Sequence, residues 1–264
     1  MKYPTLFVNH GGGPLPLLGR QPELVKHMKE TVQKWLPSTK PSAIVVLSAH
    51  WESNPIKITS SPNPEMYYDY YGFPPETYEY KYPAPGNPDL ANRIHKLLSQ
   101  QGIASQLDPK RGFDHGVFIP LMLMYPEADI AVVAVSLDAS LSAERNIAVG
   151  AALEPLREEN VLILGSGYTF HNMHAFFNPS NQTYKHSRQF NTWLQETLSS
   201  SRPVGQALPQ LTQWEEAPGA RTCHPREEHL LPLFMTAAAA GSGAHAKLIW
   251  SDENEHAISS FMFE

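Results

Sequence analysis

Cysteine is nearly absent from this chain: Cys223 stands alone among 264 residues. A single thiol cannot close an internal disulfide, and no cysteine cluster exists to hold a structural zinc. Such usage fits a reducing compartment. Charge is also sparse, at 17% of residues, where about a quarter is usual. The formal net charge is −6 and no block of Lys or Arg interrupts it, which argues against a nucleic-acid binder. No apolar run is long enough to span a bilayer. The opening MKYPTLFVNH enters a strand-like segment directly and does not read as a signal peptide, so the expectation is a cytoplasmic protein without membrane partners. HExxH, GxSxG, GxxxxGK[ST] and GxGxxG are all missing. No repeat or linker of distinct composition divides the chain, so residues 1–264 read as one domain.

Two residue types are plentiful: 24 prolines and 12 histidines. The prolines imply long shaped loops, where sites usually lie. The histidines are placed with a pattern. TLFVNHGGGP ends an apolar run in His10, AIVVLSAHW ends another in His50, and VLILGSGYTFHNMH brings His171 just past a third. Continuous apolar runs of this length read as buried parallel strands. In open α/β sheets, ligands bind outside the carboxyl ends of such strands. The expected fold is therefore α/β, a central mostly parallel sheet flanked by helices, with the site at the C-terminal ends of the strands.

Further elements follow from periodicity. Strands are expected at Thr5–Val8, Ala43–Ser48, Ile56–Thr59, Ile103–Leu107, Ile130–Ser136, Val161–Gly165, Lys247–Trp250 and Ala257–Met262. Helices are expected at Pro22–Leu36, at Asn87–Gln100 with Asn87 as cap, and at Val117–Met124, Ser142–Arg157 and Ser187–Ser199. A further helix, His224–Ala240, should open at Pro225 with Glu227 and Glu228 in its first turn and kink at Pro232. Between Ser60 and Pro88 lies a long stretch rich in Pro and Tyr. Its aromatic content argues against disorder, and it reads as a lid or pocket wall.

His27, His95, His186, His245 and His256 lie in helical or polar surroundings and read as structural. His115 sits in the turn RGFDHG, beside an acid and two glycines. His224 and His229 are five apart, about 140° around a regular helix, so one reads as a ligand and the other as a cap or supporting group. Three imidazoles with open positions suit zinc or non-haem iron(II). HGGGP is only superficially like an esterase oxyanion loop, because no nucleophile elbow accompanies it. On the residues alone, a zinc hydrolase and a metal-dependent oxygenase stand side by side. A binding module with a vestigial metal pocket would require loss of a site histidine.

Seven segments in order, NHGGGP, LSAHW, YPAPGNP, RGFDHGVFIPL, YPEADI, GSGYTFHN and HPREEHLLPL, resemble the LigB-type extradiol dioxygenases. They are most similar to the DOPA 4,5-dioxygenase branch, and they run from His10 to about Phe234. The resemblance implies one catalytic domain that opens a small aromatic diol with O₂ at a non-haem Fe²⁺ site, which related proteins can also fill with Zn²⁺. By matching motifs it implies His10, His50 and His229 as metal ligands. His171 would be the catalytic acid/base, and His115 would contact substrate or dioxygen. The protocatechuate-cleaving branch has a glutamate as third ligand, whereas the matching position here is His229, with Glu227 and Glu228 alongside. Related sequences often read HGSP where this chain reads His10-Gly11-Gly12-Gly13-Pro14, a departure that touches the substrate wall and leaves the histidine in place. Tyrosines of the 67–82 segment would stack on the ring. Arg111, Arg221 and Arg226 are candidates to hold a substrate carboxylate. DOPA, caffeate and other catechols all fit the pattern, and oligomeric state is not legible.

Overall fold

A computed structural model describes residues 2–264. The strands are β1 (Thr5–Asn9), β2 (Ala43–Ser53), β3 (Ile56–Thr59), β4 (Ser105–Asp108), β5 (Ala131–Asp138), β6 (Val161–Gly167), β7 (Ala246–Asp252) and β8 (Ile258–Phe263). They form one sheet in the order β4-β3-β5-β2-β6-β1-β8-β7. The middle of it, β5-β2-β6-β1, is parallel throughout. Antiparallel pairings occur between β3 and β5, β1 and β8, and β7 and β8.

Both faces of this sheet are covered, which is why its strands are continuously apolar. Ile44 and Val46 of β2, with Leu162 and Leu164 of β6, pack into one core beside Leu24, Met28, Val117 and Phe118. Val45, Leu47 and Ile163 point the other way, into a second core with Ile94, Val149, Phe190 and Phe234. The helices are α1 (Pro22–Trp35), α2 (Pro88–Gln100), α3 (His115–Met124), α4 (Ala143–Ala152), α5 (Met173–Phe177), α6 (Asn181–Thr197), α7 (Val204–Thr212), α8 (Ala220–Cys223) and α9 (Leu231–Ala239). Asn87 caps α2 by accepting from the Leu90 amide, as expected. Among the described residues no helix is long and apolar enough to cross a membrane.

Several elements differ from expectation. The helix expected from His224 is only α9, and residues 224–230 form a turn. Pro232 lies at the first turn of α9 rather than kinking its middle. A proline ring clashes with the carbonyl four residues back, so the helix cannot run further toward its N-terminus. The helix expected over Ser142–Arg157 breaks into α4 and a 3₁₀ segment, Glu154–Glu159, at Pro155. β2 continues five residues past Ser48, and its register against β5 shifts between Leu47 and Glu52. α6 begins six residues early, where Ser180 and Thr183 form a capping box. α5, α7 and α8 lie where periodicity marks no helix.

Candidate metal centre

The sheet register brings three chain segments to one level: Asn9 pairs with Gly167, and Ser166 pairs with Ser48. His10 follows β1 directly. Its amide donates to the Gly167 carbonyl at 3.1 Å, and the chain then turns away at Gly11. Gly11 has φ +89°, and a Cβ there would stand 2.4 Å from Pro16 Cγ, so only glycine suits this exit. His50 lies in the irregular stretch of β2, where a shifted register re-aims side chains. His229 comes from the turn before α9, whose carbonyl accepts from the Tyr168 amide at 2.9 Å.

The three rings point inward together. His50 Nε2 is 3.1 Å from His10 Nε2 and 3.3 Å from His229 Nε2. Imidazole ligands about 2.0–2.1 Å from one ion stand about 2.9 Å apart at right angles and about 3.3 Å apart in a tetrahedron. The spacing therefore suits three nitrogens on one face of a single cation. Each Nδ1 faces an acceptor. His10 Nδ1 is 3.0 Å from Ser166 Oγ, whose own proton goes to the Gly116 carbonyl. His229 Nδ1 is 2.9 Å from Glu228 Oε1, and His50 Nδ1 is 3.5 Å from Asp69 Oδ2. Such partners fix the proton on Nδ1 and leave Nε2 as a lone pair. Burial, reinforced by the surrounding histidines, lowers the pKa of His10 and His50 well below the ordinary range and that of His229 to about 3. Neutral, converging imidazoles fit a divalent metal.

Two more histidines flank the three. His115 opens α3, its ring centroid 3.8 Å from that of His50. Its Nδ1 and its backbone amide both meet Asp69 Oδ1, at 2.8 and 3.0 Å. His171 stacks on His229 at 3.4 Å between centroids, and its Nδ1 is 3.3 Å from Glu228 Oε1. Burial raises the Glu228 carboxyl, but the hydrogen bonds from His171 and His229 outweigh it and hold the group ionised well below the carboxylate range. All five histidines singled out from the sequence as ligands or acid/base groups thus meet in one pocket. His224 does not join them. It is buried, its Nε2 lies 3.0 Å from the Thr169 carbonyl, and its ring packs edge-on against Phe190 and Trp214.

The Ser60–Pro88 segment borders the pocket. Tyr70 approaches His115 edge-on at 5.9 Å and packs against Phe73, which meets Gly13. Tyr168 and Phe176 supply aromatic surface near His10 and His171. The three arginines considered for a substrate carboxylate are each engaged. Arg111 pairs with Asp114 and lies over the Tyr67 ring, Arg221 pairs with Glu215 and Glu227, and Arg226 makes a forked pair with Glu52. Sequence reading missed Asp69 and Ser166. A lone acid among tyrosines, and a serine next to the last residue of a strand, carry no pattern that marks them. Glu228, expected in the first turn of a helix, instead turns Oε1 to the Nδ1 side of both His171 and His229.

Fold and donor set together define an α/β protein with three converging imidazoles spaced to hold one cation. The model of the catalytic LigB subunit of aromatic ring-opening dioxygenase matches residues 10–262. A 4,5-DOPA dioxygenase extradiol of Beta vulgaris is 38% identical over 247 residues, covering 93% of this chain and 90% of its own. The enzyme of the same name from Escherichia coli K12 is 34% identical over 240 residues, covering 90% and 85%. A crystal structure of an uncharacterized protein from Escherichia coli K12 superposes with a TM-score of 0.78 at 28% identity, over 98% of this chain and 99% of that one. The chain belongs to the LigB family of aromatic ring-opening dioxygenases, and it is a ring-cleaving enzyme of the extradiol class.

Proposed function

We propose that this enzyme cleaves a catechol-type substrate beside its diol, using O₂ and an Fe²⁺ held by His10, His50 and His229. The observation that carries the reading is the convergence of three Nε2 atoms, 3.1 and 3.3 Å apart where measured from His50. When bound, the metal would supply a Lewis acid and a one-electron relay between catecholate and dioxygen, which otherwise react slowly. Zn²⁺ would fit the same three nitrogens.

The remaining steps belong to the chain. His171, with Nδ1 turned to Glu228, has Nε2 free to take one catechol proton and later return it. Glu228 would stabilise the imidazolium formed in between. His115 is anchored through Nδ1 to Asp69. With Nδ1 held there, its Nε2 would face substrate or dioxygen. Tyr70, Phe73, Tyr168 and Phe176 would flank the ring and limit water. Tyr70 is a wall and not a base: burial pushes its phenol up to about 12, and its hydroxyl donates to the Thr77 carbonyl. The engaged state of Arg111, Arg221 and Arg226 favours catechols that need no guanidinium clamp. A cytoplasmic setting suits both an iron(II) site and the single buried cysteine.

A zinc hydrolase would use the same donor set, and the family membership favours ring cleavage. The deciding experiment is anaerobic reconstitution with Fe²⁺, then an oxygen electrode and a panel of catechols with and without a carboxylate. O₂ uptake with growth of a semialdehyde-type chromophore is expected. Full iron loading with no uptake on any catechol, beside ester or amide hydrolysis by the zinc form, would favour the hydrolase.

A further inference from the structure

Two carboxylates in this pocket each face two histidines, one from the converging three and one from the flanking pair. Asp69 lies between His50 and His115, and Glu228 lies between His229 and His171. We infer that Asp69 and Glu228 are positioning residues that couple metal occupancy to the orientation and tautomer of the proton-handling histidines. The inference rests on the metal-site part of the function proposed above.

The two couplers are built differently. Glu228 serves both rings with one oxygen: Oε1 is 2.9 Å from His229 Nδ1 and 3.3 Å from His171 Nδ1, while Oε2 faces Arg226 Nη1 at 3.4 Å. Asp69 divides its work. Oδ1 takes the His115 ring and backbone amide at 2.8 and 3.0 Å, while Oδ2 faces His50 Nδ1 at 3.5 Å. A carboxylate can accept at both oxygens, whereas a carboxamide accepts at one and donates at the other. In Glu228→Gln, the amide oxygen can occupy the Oε1 position and still serve both rings. In Asp69→Asn, it can serve His115 or His50 but not both. With the oxygen kept by the two stronger bonds to His115, the amide NH₂ meets His50 Nδ1–H donor to donor.

Asp69 also ties a wall of the pocket to its floor. It sits in the segment that carries Tyr70 and Phe73, next in sequence to Tyr70. One carboxylate thus sets an aromatic wall, a histidine that would hold metal and a histidine that would handle protons. Supporting partners of this kind typically contribute about 10–100-fold to metal affinity. Linkage makes the effect reciprocal, so binding at the metal position must also bias the partner ring.

The test uses the full-length protein with zinc alone, which is diamagnetic and does not depend on turnover. Zinc affinity is measured by competition with a chelator. Histidine tautomers are read from long-range ¹H–¹⁵N correlations with and without zinc, on wild type, Asp69→Asn, Asp69→Ala and Glu228→Gln. In wild type, His115 should hold its proton on Nδ1, and its ring shifts should respond to zinc. Asp69→Asn should keep the His115 tautomer but bind zinc about 10–100-fold more weakly. Asp69→Ala should lose both the tautomer and its response to zinc. Glu228→Gln should lose less zinc affinity than either Asp69 variant, because its amide oxygen still serves both rings while its NH₂ faces the exposed Arg226, which keeps Glu52 as partner. Equal zinc affinity in wild type and Asp69→Asn overturns the inference even if the alanine variant does not fold. So does a loss in Glu228→Gln as large as that in Asp69→Asn. A wild type that binds no zinc at His10, His50 and His229 instead sinks the metal-site reading on which the inference rests.

Discussion

Gly116 tests whether the pocket tolerates any added volume beneath His50. It lies in the first turn of α3, and its conformation is one that alanine can adopt. Helix propensity alone makes Gly116→Ala stabilising by about 0.8–1.0 kcal/mol. The surroundings oppose it. A Cβ there would stand 2.6 Å from Ser48 Oγ, 3.1 Å from His50 Cδ2 and 3.2 Å from Asp114 Oδ1. Ser48 must move first, and its hydroxyl is the donor to buried Asp114 at 2.7 Å. Losing a hydrogen bond to a charged group costs roughly 1.5–3 kcal/mol, and overpacking adds about 1–3 kcal/mol. Set against the helix gain of about 1 kcal/mol, the net is a destabilisation of roughly 1.5–5 kcal/mol. At about 2–4 °C per kcal/mol for a chain near this size, Tm should fall by at least about 3 °C. The second contact is with the His50 ring, so zinc affinity should fall with stability. Thermal melts of metal-free protein and a zinc competition titration read the two effects separately. A variant with raised Tm and unchanged zinc affinity would show that helix propensity wins, and that α3 is not packed tightly enough to hold His50 in place.

Two further substitutions separate roles that the pocket brings close together. His171→Ala should keep metal and lose about 10²–10⁴ in turnover, the usual cost of removing an acid/base group, while His50→Ala should lose metal first. Metal content and O₂ uptake after identical Fe²⁺ loading decide between them, and equal metal depletion in both variants would make His171 a ligand. Far from the site, burial lowers the pKa of His27 to about 4, and its ring stacks on Trp250 at 4.8 Å. Its folded pKa is depressed below the unfolded value of about 6.5. The unfolded chain therefore binds the extra proton, and stability present above that value is lost as pH falls toward 4. The slope contributed is at most about 1.4 kcal/mol per pH unit. His27→Phe keeps an aromatic stack and removes the titration, so denaturant unfolding between pH 4 and 6.5 should become less pH-dependent. An unchanged profile would refute the assignment.

What could be read from the chain, and what could not, divides along physical lines. Strand identity was legible because burial on both faces leaves runs such as AIVVL and VLIL without a polar residue. The meeting of His10, His50 and His171 was legible because parallel strands deliver their ends to one side of a sheet. His50 shows the limit of that logic. Its strand does not end at Ser48 but continues past a shifted register, held there by pairing with β5. That extension depends on pairing of Glu52 and Ser53 with the distant Leu137 and Asp138, and no local pattern in SAHWES encodes it. His229 shows a different failure. Glu227 and Glu228 ahead of an apolar run looked like acids complementing a helix N-terminus, while Pro232 marked the true first turn of α9. The two acids serve other ends: Glu227 pairs with Arg221, and Glu228 faces two imidazoles. Asp69 is the sharpest case. It lies 46 residues from His115, in a segment marked by proline and tyrosine, and it joins the pocket only through contacts with the distant His115 and His50. Local rules fail at these positions for a common reason. A hydrogen bond belongs to two segments, so an acid whose partner is remote satisfies no pattern of its own segment, and an acid that breaks its local pattern is a place to look for such a partner.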